Sequence, residues 1–281
     1  MTLRLLDTFA GIGGFSYAAE KLVGGFKTTQ FVEINPFCQK ILKKHWPYIS
    51  IHDDIKTYTA KFGEFDVITS GFPCQDISNA GLQKGITKET RSGLFYELMR
   101  IVRVVRPKYI VLENVAAIVN RGMDIVLGEL SKAGYDAEYA VVSCKDLGGC
   151  HIRQRWWCIA KLANSDSKGL QRRMLQFNEK LQETGHIREK NTFSSTDSDS
   201  LRTQGKNERL TPIWQNAFLN SKERRTLSPN WRGYVSEPCL CRGDDGLRGR
   251  MDRIRSLGNS ISPPVAAIPL QRILDLEKIT N

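Results

Sequence analysis

Nowhere in its 281 residues does this sequence hold the roughly eighteen unbroken apolar residues that a membrane-spanning helix needs, so no membrane partner is expected. The opening stretch, "MTLRLLDTFAGIGG", reaches Asp7 and then glycines before any signal-like apolar segment develops, which speaks against export. Cysteines number seven, an odd count, and are irregularly spaced. They build no disulfide framework and suit a reducing intracellular setting, the cytoplasm by default. Cys239 and Cys241 stand one residue apart, but with Cys144, Cys150, His151 and Cys158 they fit no ordinary zinc spacing. No metal site is expected. Internal repeats are absent as well.

What is present is an ordinary globular composition, 41 % hydrophobic and 25 % charged, long enough for one large core and a smaller second unit. The net charge of +11 is unevenly spread. Residues 1–150 carry a net +2, residues 151–256 a net +9, and residues 257–281 balance. A basic excess confined to one region suits a polyanion such as nucleic acid.

The first 160 residues alternate between strand and helix patterns. Strands are expected at 3–9, 28–34, 65–71, 109–115 and 136–143, with one more at 155–162. "FSYAAEKLV" has helical spacing, Pro36 opens "PFCQKILKKHW", and "SGLFYELMRIVRVVRP" is an amphipathic helix stopped by Pro107. This alternation predicts an α/β fold, a doubly wound and mostly parallel sheet with ligands beyond the carboxyl ends of the strands. Near Asn164 the sequence turns polar and loses its periodicity, with Trp214, Phe218, Trp231 and Tyr234 as apolar anchors. The expected organisation is a large α/β domain over 1–163, a small, basic recognition domain over 164–250, and a segment over 251–281 returning to the first.

"DTFAGIGGFS" follows a strand and opens a helix, the setting in which glycines let a backbone approach a ligand closely. The dinucleotide fingerprint is incomplete, because Ser16 stands where its third glycine would be. Glu33 ends the second strand, where a carboxylate can accept from both ribose hydroxyls. Asp54 can take an adenine amino group, with Ile55 against the ring. An adenosine-containing cofactor is expected; the loop by itself does not separate NAD from S-adenosylmethionine.

In "SGFPCQDIS" an apolar strand is followed at once by Cys74. Pro73 fixes its own φ and holds Phe72 extended, which aims the thiol. The next strand ends in "ENV", where burial would raise the pKa of Glu113 and make it a proton donor. Arg153 and Arg155 lie two apart on one side of an extended segment, able to hold a phosphate or a polarised carbonyl oxygen.

With these pieces in this order the sequence resembles the DNA cytosine-5 methyltransferases over nearly its whole length except roughly 164–235. "DTFAGIGGF", Glu33, Asp54, "GFPCQ", "GLF", "ENV", the paired arginines and "LGNSISP" carry the likeness. The resemblance implies S-adenosyl-L-methionine as cofactor, duplex DNA as partner and base flipping of the target cytosine. It assigns Cys74 as nucleophile, Glu113 as the group at ring nitrogen 3, Asn114 as a support for both, Arg155 at the base oxygen, and Arg153 as a backbone clamp. Phe9, Gly11, Gly13, Glu33 and Asp54 become cofactor neighbours by the same likeness. So do Ile55, Pro73, Leu94, Asn259 and Ser260.

A monomer is expected. The biological settings implied are a restriction–modification system, with a cognate restriction endonuclease, or a stand-alone phage or bacterial modification enzyme. Two positions depart from the family: His151 stands where glutamine is common and Cys150 where proline is frequent. The alternatives are an RNA (transfer RNA) cytosine methyltransferase, a non-catalytic DNA-binding relative, and a nicotinamide enzyme with a reactive cysteine.

Overall fold

Strand β1 (Leu3–Thr8) is buried at every position but Arg4. A strand apolar on both faces is stable only inside a sheet that is covered on both sides. The computed structural model describes residues 2–73, 93–147, 152–163 and 250–280. Among these, β1 joins β2 (Phe26–Val32), β3 (Ser50–His52), β4 (Val67–Ser70), β5 (Tyr109–Val115), β6 (Tyr135–Ser143) and β7 (Gln154–Leu162). They form one sheet in the order β3-β2-β1-β4-β5-β7-β6. Pairing is parallel from β3 to β5, and β7 runs antiparallel to both of its neighbours. The architecture is the doubly wound, mostly parallel α/β sheet that the alternating pattern predicts.

Period-two alternation sorts the strand residues between two layers. Leu6, Ile68, Ile110, Leu112, Trp156, Cys158 and Ala160 face one core. Helices α3 (Leu94–Val105) and α4 (Met123–Lys132) close it with Leu98, Met99, Val102, Val126 and Leu130. Leu5, Val67, Tyr109, Val111, Trp157 and Ile159 face the other core. There the short α1 (Gly14–Tyr17), the π-helical turn Ala18–Val23 and the C-terminal α6 (Pro263–Thr280) supply Phe15, Ala18, Val265, Ala266 and Ile273. Burying each valine, leucine, isoleucine, phenylalanine or methionine among them contributes about 1.5–3 kcal/mol.

Helix ends follow local chemistry. α2 (Pro36–His45) is capped by Asn35, whose side-chain oxygen accepts from the backbone N–H groups of Phe37 at 2.9 Å and Cys38 at 3.3 Å. Such a cap is worth about 1 kcal/mol. α3 stops at Arg106, which takes a left-handed conformation (φ 53°) just before Pro107.

The structure adjusts the expected boundaries. β2 starts two residues earlier than expected, directly after the left-handed Gly24–Gly25 pair. The segment read as a plain helix after the glycine loop is one α-turn continuing into a π-turn. α5 (Arg250–Asn259) and α6 end the described chain, and α6 packs on the α1 face of the sheet. The expected target-recognition segment lies outside the described residues. Among those described, no helix is long and apolar enough to cross a membrane.

Candidate functional site

The carboxyl ends of β1, β2, β4 and β5 meet at one edge. Beyond β1, Phe9 (φ 53°), Gly11 (φ 56°) and Gly13 (φ 87°) turn the chain sharply. Such angles cost a side chain about 1 kcal/mol or more, and glycine much less. Gly13 is also held by space, because a Cβ there would lie 2.6 Å from the Trp46 ring. At Gly11 a Cβ would meet nothing within 4 Å among the described residues, which leaves the backbone room for close approach.

Glu33, nearly buried, fastens this loop. One carboxylate oxygen accepts from Gly11 N–H and the other from Asn35 N–H, both at 2.7 Å. Its own N–H donates to the His52 carbonyl at 2.9 Å, which sets the end of β2 beside the end of β3. Asp54 follows β3 and is half-buried, with one oxygen accepting from Lys56 N–H at 3.0 Å. Ile55 is packed into the larger core and Leu94 borders it at the start of α3. A carboxylate offers about four acceptor positions, so Glu33 and Asp54 both retain capacity for hydroxyl or amino donors. The open backbone at Gly11 and two acceptors at adjacent strand ends fit an adenosyl group.

Two supports were not read from the sequence. Asp7 is fully buried: Oδ2 accepts from Ser16 Oγ at 2.7 Å and Ser16 N at 3.3 Å, and Oδ1 from Thr69 Oγ1 at 2.9 Å. It ties the start of α1 and β4 to β1, and it explains why position 16 is serine. Burial pushes its carboxyl up to about 7, against the lowering effect of those three hydrogen bonds. Arg100 on α3 is the second. Its guanidinium donates to the carbonyls of Ile55 at 2.9 Å, Lys56 at 3.3 Å and Tyr58 at 3.1 Å, and its Nε to Glu97 at 2.8 Å. One side chain thereby fixes the loop of Asp54 and Ile55 to the helix that begins at Leu94. A polar residue inside the buried strand "LRLLDT" and a cation on an amphipathic helix were the available signals.

At the tip of β5 alternation divides two neighbours. Asn114 points toward the α3 side, where it donates to the Phe72 carbonyl at 3.2 Å and so holds the segment leading to Pro73. Glu113 points the other way. In the antiparallel register Glu113 lies opposite Trp157 and Val115 opposite Arg155. Glu113 and Arg155 are therefore diagonal neighbours on one face, within reach of long side chains. Arg155 Nε stands 3.0 Å from Glu113 Oε1. Burial raises the Glu113 pKa, while the Arg155 and Arg153 charges oppose that rise. Arg153, just before β7, donates to the Ser260 carbonyl at 2.8 Å in the link between α5 and α6, next to the exposed Asn259 that ends α5.

Gly71, at the end of β4, is close enough to Glu113 that a Cβ there would lie 3.5 Å from Oε2. Pro73 is half-buried and is the last described residue before Cys74. Cys74, Cys150 and His151 lie outside the described residues, as do Cys239 and Cys241. Among the described residues no group of three His, Cys, Asp or Glu side chains could hold a metal ion.

Comparison with known proteins accords with this arrangement. The family model for C-5 cytosine-specific DNA methylase matches residues 3–256. The Type II methyltransferase M.CviJI of Paramecium bursaria Chlorella virus IL3A is 36 % identical over 163 residues, 57 % of this chain and 43 % of that protein. M.NlaIV of Neisseria lactamica is 31 % identical over 176 residues, 57 % of this chain and 41 % of the relative. M2.BsuMI of Bacillus subtilis (strain 168) is 33 % identical over 168 residues, 57 % and 42 % of the two chains. The matched stretch thus spans less than half the length of these relatives. The matched range includes the glycine loop, the tip of β5 and the arginine strand, and this chain belongs to the C-5 cytosine-specific DNA methylase family.

Proposed function

We propose that this protein transfers a methyl group from S-adenosyl-L-methionine to carbon 5 of cytosine in a specific duplex DNA sequence. The observation that carries the proposal is Glu113, a mostly buried carboxyl with a raised pKa, paired with Arg155 and set beside Gly71, three residues before Cys74. The cofactor supplies an electrophilic methyl group. Glu33 and Asp54 would hold its adenosine part, with Gly11 leaving room for close approach and Phe9, Gly13, Ile55, Pro73, Leu94, Asn259 and Ser260 around it.

Carbon 5 of cytosine is a weak nucleophile. The Cys74 thiolate adds to carbon 6 of the flipped base, and the displaced electron pair makes carbon 5 enamine-like. Glu113 in its acid form gives a proton to ring nitrogen 3, so the ring does not accumulate negative charge. Arg155 holds the base oxygen and Arg153 fixes the backbone beside it. Carbon 5 takes the methyl group, then loses its proton to a base. The electron pair released re-forms the ring double bond and expels the Cys74 sulfur as thiolate, and ring nitrogen 3 returns its proton to the Glu113 carboxylate.

The basic excess between 151 and 256 suits a phosphate backbone, whose charge dominates nucleic-acid affinity. The relatives named above are Type II methyltransferases, so a modification role alongside a cognate endonuclease is part of the proposal. Base-resolution mapping of 5-methylcytosine, after expression in a host that lacks it, tests the activity. A reproducible short motif methylated by the natural protein and not by the Cys74→Ser variant is expected. Unmodified DNA from both would overturn the proposal.

A further inference from the structure

Gly14 and Gly71 have a property in common that their backbone angles do not explain. Neither has a positive φ, unlike Gly11 and Gly13. Both lack a side chain where the same residue, Ile261, presses against them. A Cβ on Gly14 would lie 3.0 Å from the Ile261 carbonyl oxygen and 3.1 Å from its Cβ. A Cβ on Gly71 would lie 3.3 Å from Ile261 Cδ1, and 3.5 Å from Glu113 Oε2. Gly14 begins α1 directly after the glycine loop, and Gly71 leads into the segment of Cys74. Ile261 belongs to neither. It sits between α5 and α6, in a link fixed by Arg153 on the Ser260 carbonyl at 2.8 Å and by Val265 and Ala266 N–H on the Ser262 carbonyl at 3.1 and 3.0 Å.

We propose that Ile261 is a positioning residue that sets the distance between the methyl-donor side of the site and the thiol side. Its backbone seats the glycine loop at Gly14, and the tip of its side chain seats the end of β4 beside Glu113. The inference rests on the methyl-transfer function proposed above. Methyl transfer needs donor and acceptor at near-attack separation, where displacements below 1 Å already cost rate. Backbone and side chain of one residue act on opposite halves of the site, so their contributions are separable.

The test uses G14A, G71A, I261V and the two double variants. It reads single-turnover methyl transfer, S-adenosylhomocysteine binding by calorimetry, and thermal unfolding. G71A is expected to slow transfer about tenfold, with S-adenosylhomocysteine affinity changed less than about twofold. Adding I261V, which removes the Cδ1 atom that the new methyl group meets, restores the rate and the melting temperature. G14A is expected to weaken S-adenosylhomocysteine binding about tenfold, and I261V does not rescue it, because the clash is with the carbonyl oxygen and Cβ of residue 261, both of which valine keeps. Rescue of both glycine variants, or of neither, overturns the inference.

If G71A does not fold, I261V and I261A decide. Transfer falls in step with the side-chain length removed while S-adenosylhomocysteine affinity holds; equal loss of both readouts overturns the proposal. A natural protein that binds S-adenosylhomocysteine but transfers no methyl group refutes the function proposed above. The binding and unfolding arms then still read the contact at Ile261.

Discussion

Replacing Asp7 by asparagine probes the buried support of the glycine loop without changing its shape. The carboxylate accepts from Ser16 N, Ser16 Oγ and Thr69 Oγ1 in a site closed to solvent. An asparagine can keep the Ser16 bonds on its oxygen and turn its amide toward the Thr69 hydroxyl, which also accepts. The difference lies in titration. Asp7 rises from an ordinary 3.8 to about 7 on folding. The folded protein therefore keeps a proton that the unfolded chain releases as pH rises through 4. Stability from this group is full below pH 4, falls as pH rises toward 7, and is then level. The whole loss is about 4 kcal/mol at about 1.36 kcal/mol per unit, and about 2.5 kcal/mol falls between pH 5 and 8.

The Asp7→Asn protein lacks that loss. Urea unfolding of both proteins at each pH gives a difference in which the other titrating groups cancel. The difference should move by about 2.5 kcal/mol in favour of the variant from pH 5 to 8, or roughly 5–10 °C in melting temperature. A gap that stays constant with pH would refute the claim that Asp7 is buried and proton-binding.

Other outcomes follow from the same geometry. Glu113→Gln should slow methyl transfer roughly 100- to 1000-fold. The natural rate should fall as pH rises through the elevated Glu113 pKa, since the acid form is the competent one. That limb should be missing from the variant's single-turnover rate–pH profile, and its persistence would reassign the proton donor. Arg100→Ala, which frees the carbonyls of Ile55, Lys56 and Tyr58, should weaken S-adenosylhomocysteine binding about tenfold. Arg100→Lys should recover only part, because one ammonium cannot span a fork of three acceptors. Calorimetry checks this, and unchanged affinity in a less stable protein would make Arg100 merely structural.

Legibility in the sequence tracked how local the cause was. β5 was readable residue for residue, because a buried central strand with a polar tip leaves an apolar run ending in "ENV". β3 was not: three residues, Ser50–His52, carry no apolar signature, and their place beside β2 comes from pairing. The π-turn at Ala18–Val23 has ordinary helical spacing, so sequence reads it as plain helix. At the site, the raised pKa of Glu113 follows from a carboxyl at a buried strand end, and its direction was expected. Its contact with Arg155 needed the antiparallel register of β5 and β7. Asp7 and Ile261 depended on partners distant in sequence, Thr69 for one and Gly14 and Gly71 for the other. What keeps Gly71 and Gly14 small is a neighbour and not an angle.

The central chemical claim is best tested on duplexes carrying 5-fluorocytosine at the methylated position. Fluorine replaces the proton that must leave carbon 5, so the sulfur cannot be expelled after methyl transfer. With S-adenosyl-L-methionine present, a stable protein–DNA conjugate should form, and peptide mass mapping should place the bond at Cys74. Normal 5-methylcytosine formation on ordinary DNA with no conjugate on the fluorinated duplex, or a conjugate through another residue, would contradict the account.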